Sequence, residues 1–322
     1  VMDGATLYLR IYFLGVISSL LYNMGSGILR AVGDAKRPLY YLIFTTFVNI
    51  VLDIWLVAFL KMGIIGAALA TIFSQFVSAV LVLRTLLCTK EAYRLQLRRC
   101  EAYPEVWMQI IKIGLPAGCQ YTMYTVSNII IQTQINGLGT NVVAAWTAIN
   151  KLDGMFWLTM GAFGTTMMTF TGQNYGAGKM DRVRKGFFAG LVISCALTAG
   201  ICIPIVVYAW ELVHIFSKDP EVIHLGVEFI YFLIPTYFTY TGTELFGGII
   251  KGKGNSFAPM IITGISAFAI RSIWSIVAPM FWPGMNTIMI AYPLSWTIST
   301  TLFIIYFVAS GQLREKKKYQ IA

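Results

Sequence analysis

Apolar runs of membrane-spanning length recur along this chain, separated by short polar turns. A helix needs roughly 20 residues to cross about 30 Å of hydrocarbon. Nine segments meet that length, approximately 7–29, 39–60, 67–87, 107–138, 142–170, 187–210, 222–250, 257–281 and 287–308. Most are apolar on every face, a pattern that lipid can solvate and water cannot. The predicted fold class is therefore all-α, a polytopic transmembrane helical bundle. Most connections carry turn residues, as in Gly33-Asp34 before Pro38, Gly139-Thr140-Asn141 and Pro283-Gly284. The segment 88–105 differs. It holds Lys90, Glu91, Arg94, Arg98, Arg99, Glu101 and Pro104, and reads as a charged linker, with a helix on the membrane surface as one possible form.

Composition agrees: 57% of the 322 residues are hydrophobic and 12% charged. A net charge of +10 raises the question of nucleic acid. The basic residues, however, lie between apolar runs, where positive charge sets membrane orientation. If the turn after the first span is cytoplasmic, alternation places 19 of the 24 Lys and Arg on that side. Lys61 and Lys218 fall outside, and Arg10, Lys151 and Arg271 fall within spans. This predicts a multi-pass cell-membrane protein with a cytoplasmic C-terminus and no nucleic-acid partner; a monomer is the expected state, although nothing in the sequence fixes it. The five cysteines and two histidines have no ligand spacing, so neither a metal site nor a disulfide framework is expected.

The chain repeats itself. Displaced by 221 positions, Ile28-Leu29-Arg30 aligns with Ile249-Ile250-Lys251, Gly33 with Gly254, Asp34 with Asn255, Pro38 with Pro259 and Gly63 with Gly284. The first three spans thus match the last three in the same orientation, and parallel repeats of this kind build transporter halves. The expected organisation is 1–87 as the second half of an N-terminal lobe, 88–105 as a cytoplasmic linker, 106–313 as a six-span C-terminal lobe and 314–322 as a basic tail. On this reading the first lobe is incomplete, lacking about 115 residues and three helices.

Ionisable groups within spans are costly, so each has a role or a partner. Asp53 lies deep in the second span, with Asn49 one turn earlier on the same face. A carboxylate beside an amide oxygen suits a hard cation or a proton. It equally suits a polar pair that holds helices together. The fourth span carries Gln120, Tyr124, Asn128 and Gln132 at intervals of four, a polar stripe facing water or a neighbouring helix. Lys151, Asp153 and Glu244 can form a buried ion network. The nearby Trp146, Phe156, Trp157 and Tyr240 can hold an apolar cation. A structural salt bridge among packing aromatics is the alternative. Gly172–Lys179 (GQNYGAGK) imitates a phosphate-binding loop, but the glycine spacing is wrong and Met180 stands where Ser or Thr must hold magnesium. No nucleotide cofactor is expected; the driving force would be a gradient of H+ or Na+.

The chain resembles the multidrug and toxic-compound extrusion (MATE) transporters. The resemblance rests on Asn23 through Ile28–Asp34 (ILRAVGD) to Pro38; on Asn49–Asp53 (NIVLD); on Gly66–Thr71 (GAALAT); on Ile113–Pro116 (IGLP); and on the Gly172–Lys179 stretch. It implies twelve helices in two six-helix lobes, of which this chain holds the fourth to twelfth. Likeness to the DinF branch implies cation-binding positions at Asn49, Asp53 and Thr71, with Asn23 a fourth. The NorM branch places acids where this chain has Tyr124 and a residue near Tyr240. The resemblance leads us to expect an antiporter, not an enzyme, exporting an organic and cationic amphipathic solute in exchange for H+ or Na+. The cavity residues would be Gln120, Tyr124, Asn128, Lys151, Asp153, Tyr240 and Glu244. A lipid-linked oligosaccharide flippase is the first alternative, and it should show basic residues in its cavity, where Lys151 and Arg271 are the only candidates against three buried acids. An intramembrane enzyme is the second, and the chain lacks the paired aspartates or Ser–His constellation it would need.

Overall fold

The computed structural model describes residues 2–96 and 103–313. Among them there are helices and no strands, packed as two compact units that divide between residues 102 and 103. Arg98 and Arg99 of the linker and the basic tail, 314–322, lie outside the described residues.

The first unit comprises α1 (Met2–Leu14), α2 (Val16–Ala31), α3 (Lys36–Asp53) and α4 (Gly63–Cys88). α1 and α2 meet at Gly15 with a bend of 49°. α3 runs on as a π-helical stretch, Ile54–Phe59. α3 is tied to α4 by two hydroxyl pairs, Tyr41–Thr85 at 2.6 Å and Ser78–Thr45 at 2.9 Å. Beyond α4 the described part of the linker holds no helix. It folds back so that Leu95 N–H meets Leu86 C=O at 2.9 Å and Arg94 Nε donates to Leu87 C=O at 3.0 Å. A surface helix is thus absent up to residue 96, because these bonds tie the segment to the end of α4.

The second unit begins with α5 (Pro104–Asn136), started by a proline whose missing N–H costs nothing at a helix N-terminus. It continues through α6 (Thr140–Leu152), α7 (Gly154–Gly176), α8 (Met180–Val207) and the short α9 (Ala209–Phe216). Next come α10 (Pro220–Leu233), capped by Asp219, a 3₁₀ turn Ile234–Thr236, and α11 (Tyr237–Gly252). α12 (Phe257–Thr263), a π-helical stretch Gly264–Ile270 and α13 (Arg271–Phe281) form one span. α14 (Met285–Met289) and α15 (Ala291–Ala309) form the last. The core gathers Phe156, Tyr237, Phe229 and Trp296, with a second cluster around Phe163, Leu245 and Phe303. α7 meets α11 through glycines: a side chain at Gly248 or Gly252 would strike the α7 backbone. Close approach over small residues is how helices associate where no hydrophobic effect separates them from lipid.

Each of the nine expected segments is largely helical, but not all are apolar. Among the described residues six helical stretches are long and apolar enough to cross a membrane, and α1–α2 taken together make a seventh. The expected spans 107–138 and 142–170 fall short. The first carries the Gln120–Gln132 stripe, and the second is interrupted at Asp153 between α6 and α7. In both, part of the polar content lines a cavity: Gln120, Tyr124, Asn128 and Gln132 in the first, Asn150, Asp153 and Trp157 in the second.

The internal repeat extends to backbone detail. Displaced by 221, the ends of α2, α4 and the starts of α2, α3 fall on the ends of α11, α15 and the starts of α11, α12. Gly33 (φ 91°) and Gly254 (φ 84°) occupy the same left-handed position. Each closes its helix with the same pair of bonds, Gly33 to Arg30 and Asp34 to Leu29, Gly254 to Lys251 and Asn255 to Ile250. Asp34 and Asn255 then each accept the backbone N–H three residues on, at 3.1 Å in both copies. The Gly172–Lys179 stretch is also a helix ending: α7 stops at Gly176, Gly178 (φ 70°) closes it, and no strand precedes it.

Candidate functional site

The second unit encloses a cavity of about 600 Å³. α5 supplies Gln120, Tyr124, Asn128 and Gln132, because residues four apart share a face and this face is the helix's polar one. Trp146 and Asn150 come from α6, Asp153 from the α6–α7 break, and Trp157 from α7. Tyr237, Tyr240, Glu244 and Lys251 descend one face of α11, Arg271 opens α13, and Tyr292 and Trp296 sit one turn apart on α15.

The carboxylates are held by hydroxyls. Asp153, 4% exposed, accepts from Tyr237 Oη at 2.5 Å and from Trp157 Nε1 at 2.9 Å. Glu244 accepts from Tyr240 Oη at 2.5 Å and lies directly over Gly164, where only a hydrogen leaves it room. Tyr237→Phe removes one of the two donors to Asp153 while keeping the ring. A bond to a buried charged group contributes about 1.5–3 kcal/mol, so the variant is expected to unfold at a clearly lower temperature. Intrinsic-fluorescence melting of purified protein measures this, and an unchanged midpoint would show that Asp153 does not depend on the hydroxyl.

The aromatic side chains form a continuous wall. Trp157 meets Tyr240 at 4.9 Å and Trp296 at 5.7 Å between ring centroids, Tyr292 meets Trp296 at 5.5 Å, and Trp146 meets Tyr292 at 5.7 Å. Phe156 is fully buried and stacks on Tyr237 at 4.4 Å behind the wall. Arg271 is 2% exposed. Its Nε donates to Ser295 Oγ at 2.8 Å and its Nη1 to Asn128 Oδ1 at 3.4 Å, and its guanidinium carbon lies 4.9 Å from the Tyr292 ring centroid.

Two expectations are corrected. Lys151 is exposed and is not among the residues lining the cavity, so no buried network joins it to Asp153 and Glu244. The lining cations are instead Arg271 and Lys251, and Lys251 belongs to the last turn of α11, not to a loop. The cavity therefore holds two acids and two bases, not an excess of acids. Gln120, Tyr124, Asn128, Asp153, Tyr240 and Glu244 do meet there. Gln120 spends its amide on Thr263 at 2.8 Å. Tyr292 and Trp296 escaped the sequence reading, although their four-residue spacing on an apolar helix was visible.

In the first unit Asn49 and Asp53 share a face of α3, and Asp53 sits where the helix widens into its π-helical stretch. Asp53 Oδ1 is buried without a hydrogen-bond partner. Thr71 turns its hydroxyl to Ala67 C=O at 2.9 Å within its own helix, and Asn23 is exposed, its amide on Ser19 C=O at 2.9 Å. No hydrogen bond among the described residues joins these four. Gln75, one turn beyond Thr71, has a buried, unpartnered Oε1 beside Gly15 at the α1–α2 bend, and was missed.

A polytopic helical bundle with a duplicated three-helix element and a polar cavity among its helices fits the class of membrane transporters. The family model MatE matches residues 1–55 and 116–277, more than half the chain, and the chain belongs to that family. It is 30% identical over 304 residues to "Probable multidrug resistance protein YpnP" of Bacillus subtilis, covering 94% of this chain and 67% of that protein. It is 25% identical over 225 residues to an "FAD transporter" of Shewanella oneidensis, covering 67% and 49%. Among solved structures it superposes with TM-score 0.88 at 19% identity on an outward-facing multidrug resistance MATE family transporter, covering 96% of this chain and 70% of that one. A transporter from Pyrococcus furiosus, described as having a binding pocket of reversed polarity, matches equally well in fold, with TM-score 0.88 and 19% identity. The chain spans about two thirds of the length of the first of these relatives and half that of the FAD transporter.

Proposed function

We propose that the protein exports an organic solute with an aromatic body in exchange for H+ or Na+. The observation that carries this reading is the cavity itself, where tryptophan and tyrosine side chains surround polar and charged groups among the helices of the second unit. Such a lining binds flat apolar bodies by contact area and orients them by a few polar groups. The relatives named for multidrug resistance support export as the direction. Asp53, with its unpartnered oxygen in the other unit, is the proposed seat of the coupling ion, with Asn49 beside it. The test is transport in proteoliposomes under an imposed proton or sodium gradient, reading accumulation of a fluorescent aromatic dye. Accumulation driven by one gradient and abolished by its dissipation is the expected result; dye movement indifferent to both would overturn the coupling.

Arg271 and Lys251 favour a second reading, a flippase for lipid-linked phosphosugars, since a phosphate needs basic partners within the bilayer. Scrambling of a fluorescent polyprenyl-phosphate sugar without dye transport would select it.

A further inference from the structure

Among the described residues, Arg271 is the buried cavity group whose charge the surrounding protein leaves unanswered. Asp153 and Glu244 are engaged by Tyr237, Trp157 and Tyr240, and neither approaches Arg271 within ion-pair distance. The guanidinium has five N–H donors. Nε and Nη1 reach neutral oxygens of Ser295 and Asn128, whereas Nη2 is closed off from solvent with no partner at all. The aromatic faces of Tyr292 and Trp296, 4.9 and 5.9 Å from the guanidinium carbon, soften the burial without neutralising it. A charge removed from water and left unpaired is costly, and a membrane helix retains one where it meets something that arrives.

We propose that the second unit's cavity receives an oxyanion of its ligand, a carboxylate or a phosphate, on Arg271, while an aromatic body attached to it lies against the partly exposed Trp157 and Tyr292, which the buried Trp296 backs. The planar fork of arginine matches the two oxygens of either group. Ser295 and Asn128 are positioning residues, since they fix the guanidinium from two sides and leave Nη2 without a protein partner. The aromatic wall selects the body: a bare inorganic anion would leave that apolar surface uncovered. The ligand is thus an aromatic acid or an aromatic phosphate, anionic or zwitterionic, and not the purely cationic amphiphile that the sequence suggested. Its role as cargo rests on the transport reading; its binding does not, and needs no gradient.

The test is equilibrium binding to the purified protein in lipid nanodiscs, followed by tryptophan fluorescence. Three probes share one ring: 2-naphthoate, 2-naphthyl phosphate and 2-naphthyltrimethylammonium; farnesyl phosphate serves as a lipid probe. An anionic naphthyl probe is expected to bind at least about tenfold more tightly than the ammonium. Arg271→Gln should erase that preference while the ammonium still binds, which shows that the variant is folded. Arg271→Lys should keep the preference but reduce it. If Arg271→Gln does not purify, Ser295→Ala and Asn128→Ala decide: each should lower anion affinity several-fold and leave the ammonium unchanged. Tighter binding of the ammonium to the unaltered protein overturns the proposal. So does an anion preference that survives Arg271→Gln or ignores both alanine variants, or binding confined to farnesyl phosphate. Binding as expected without gradient-driven transport would count against the transport reading alone.

Discussion

Gly252→Leu is expected to abolish the folded second unit, and Gly252→Ala to destabilise it. A β-carbon at Gly252 would lie 2.5 Å from the Met168 carbonyl oxygen and 2.7 Å from Thr171 Cβ. One at Gly248 would lie 2.8 Å from the Gly164 carbonyl oxygen. The carbonyl oxygens belong to the α7 backbone, which cannot rotate aside as a side chain would, so the helices must separate. Over-packing by a methyl or two typically costs about 1–3 kcal/mol, and leucine adds several groups at a point with no void. Separation would also displace Glu244 from its place over Gly164 and disturb the cavity wall. Gly200→Ala is the control: nothing lies within 4 Å of its added carbon, and alanine is the better helix former. Size-exclusion profiles and thermal melts in detergent should rank Gly200→Ala at or above the parent, Gly252→Ala below it and Gly252→Leu absent. A monodisperse, unshifted Gly252→Leu would mean that α7 and α11 do not pack this closely.

How much of this was legible in the sequence depends on whether a feature is local. The duplicated helix ending was legible to the residue, because Gly33 and Gly254 obey the same backbone rule and nothing distant alters it. The stripe Gln120–Gln132 was legible because helical geometry alone puts every fourth residue on one face. What failed was pairing between helices. Asp153 and Lys151 are two residues apart, so their opposite charges suggested a network. Residues two apart on a helix face in different directions, and the partners of Asp153 are Trp157, four residues on, and Tyr237, 84 residues on. Arg271 read as a candidate cavity cation beside Lys151, and its lack of an acid is a fact of tertiary structure that no spacing rule reports. The two π-helical stretches were also hidden, since an extra residue per turn leaves no compositional trace. They occur in equivalent helices of the repeat, one directly after Asp53 and one directly before Arg271. Such widened turns often accompany functional groups. Here each adjoins a charged side chain with an atom left unpartnered in its own unit.

Asp53→Asn is expected to reduce gradient-driven transport to the background of empty vesicles, while probe binding in the second unit's cavity stays within about twofold of the parent. The reason is charge, not shape. Asparagine keeps the size of the side chain, but it can neither release a proton nor offer a carboxylate to sodium. An ion drives a conformational equilibrium only as far as it binds the two states differently, and an uncharged side chain removes the difference. The cavity is built wholly from the second unit, so its own affinity has no reason to change with Asp53. Thr71→Ala should have a smaller effect, since the Thr71 hydroxyl is already committed to Ala67 within its helix. Asn49→Ala should fall between the two. Parallel uptake assays under proton and sodium gradients, with binding measured on the same preparations, separate coupling from folding. If Asp53→Asn transports as the parent does under both gradients, the unpartnered carboxylate is a structural feature of α3, and the coupling ion must be sought elsewhere.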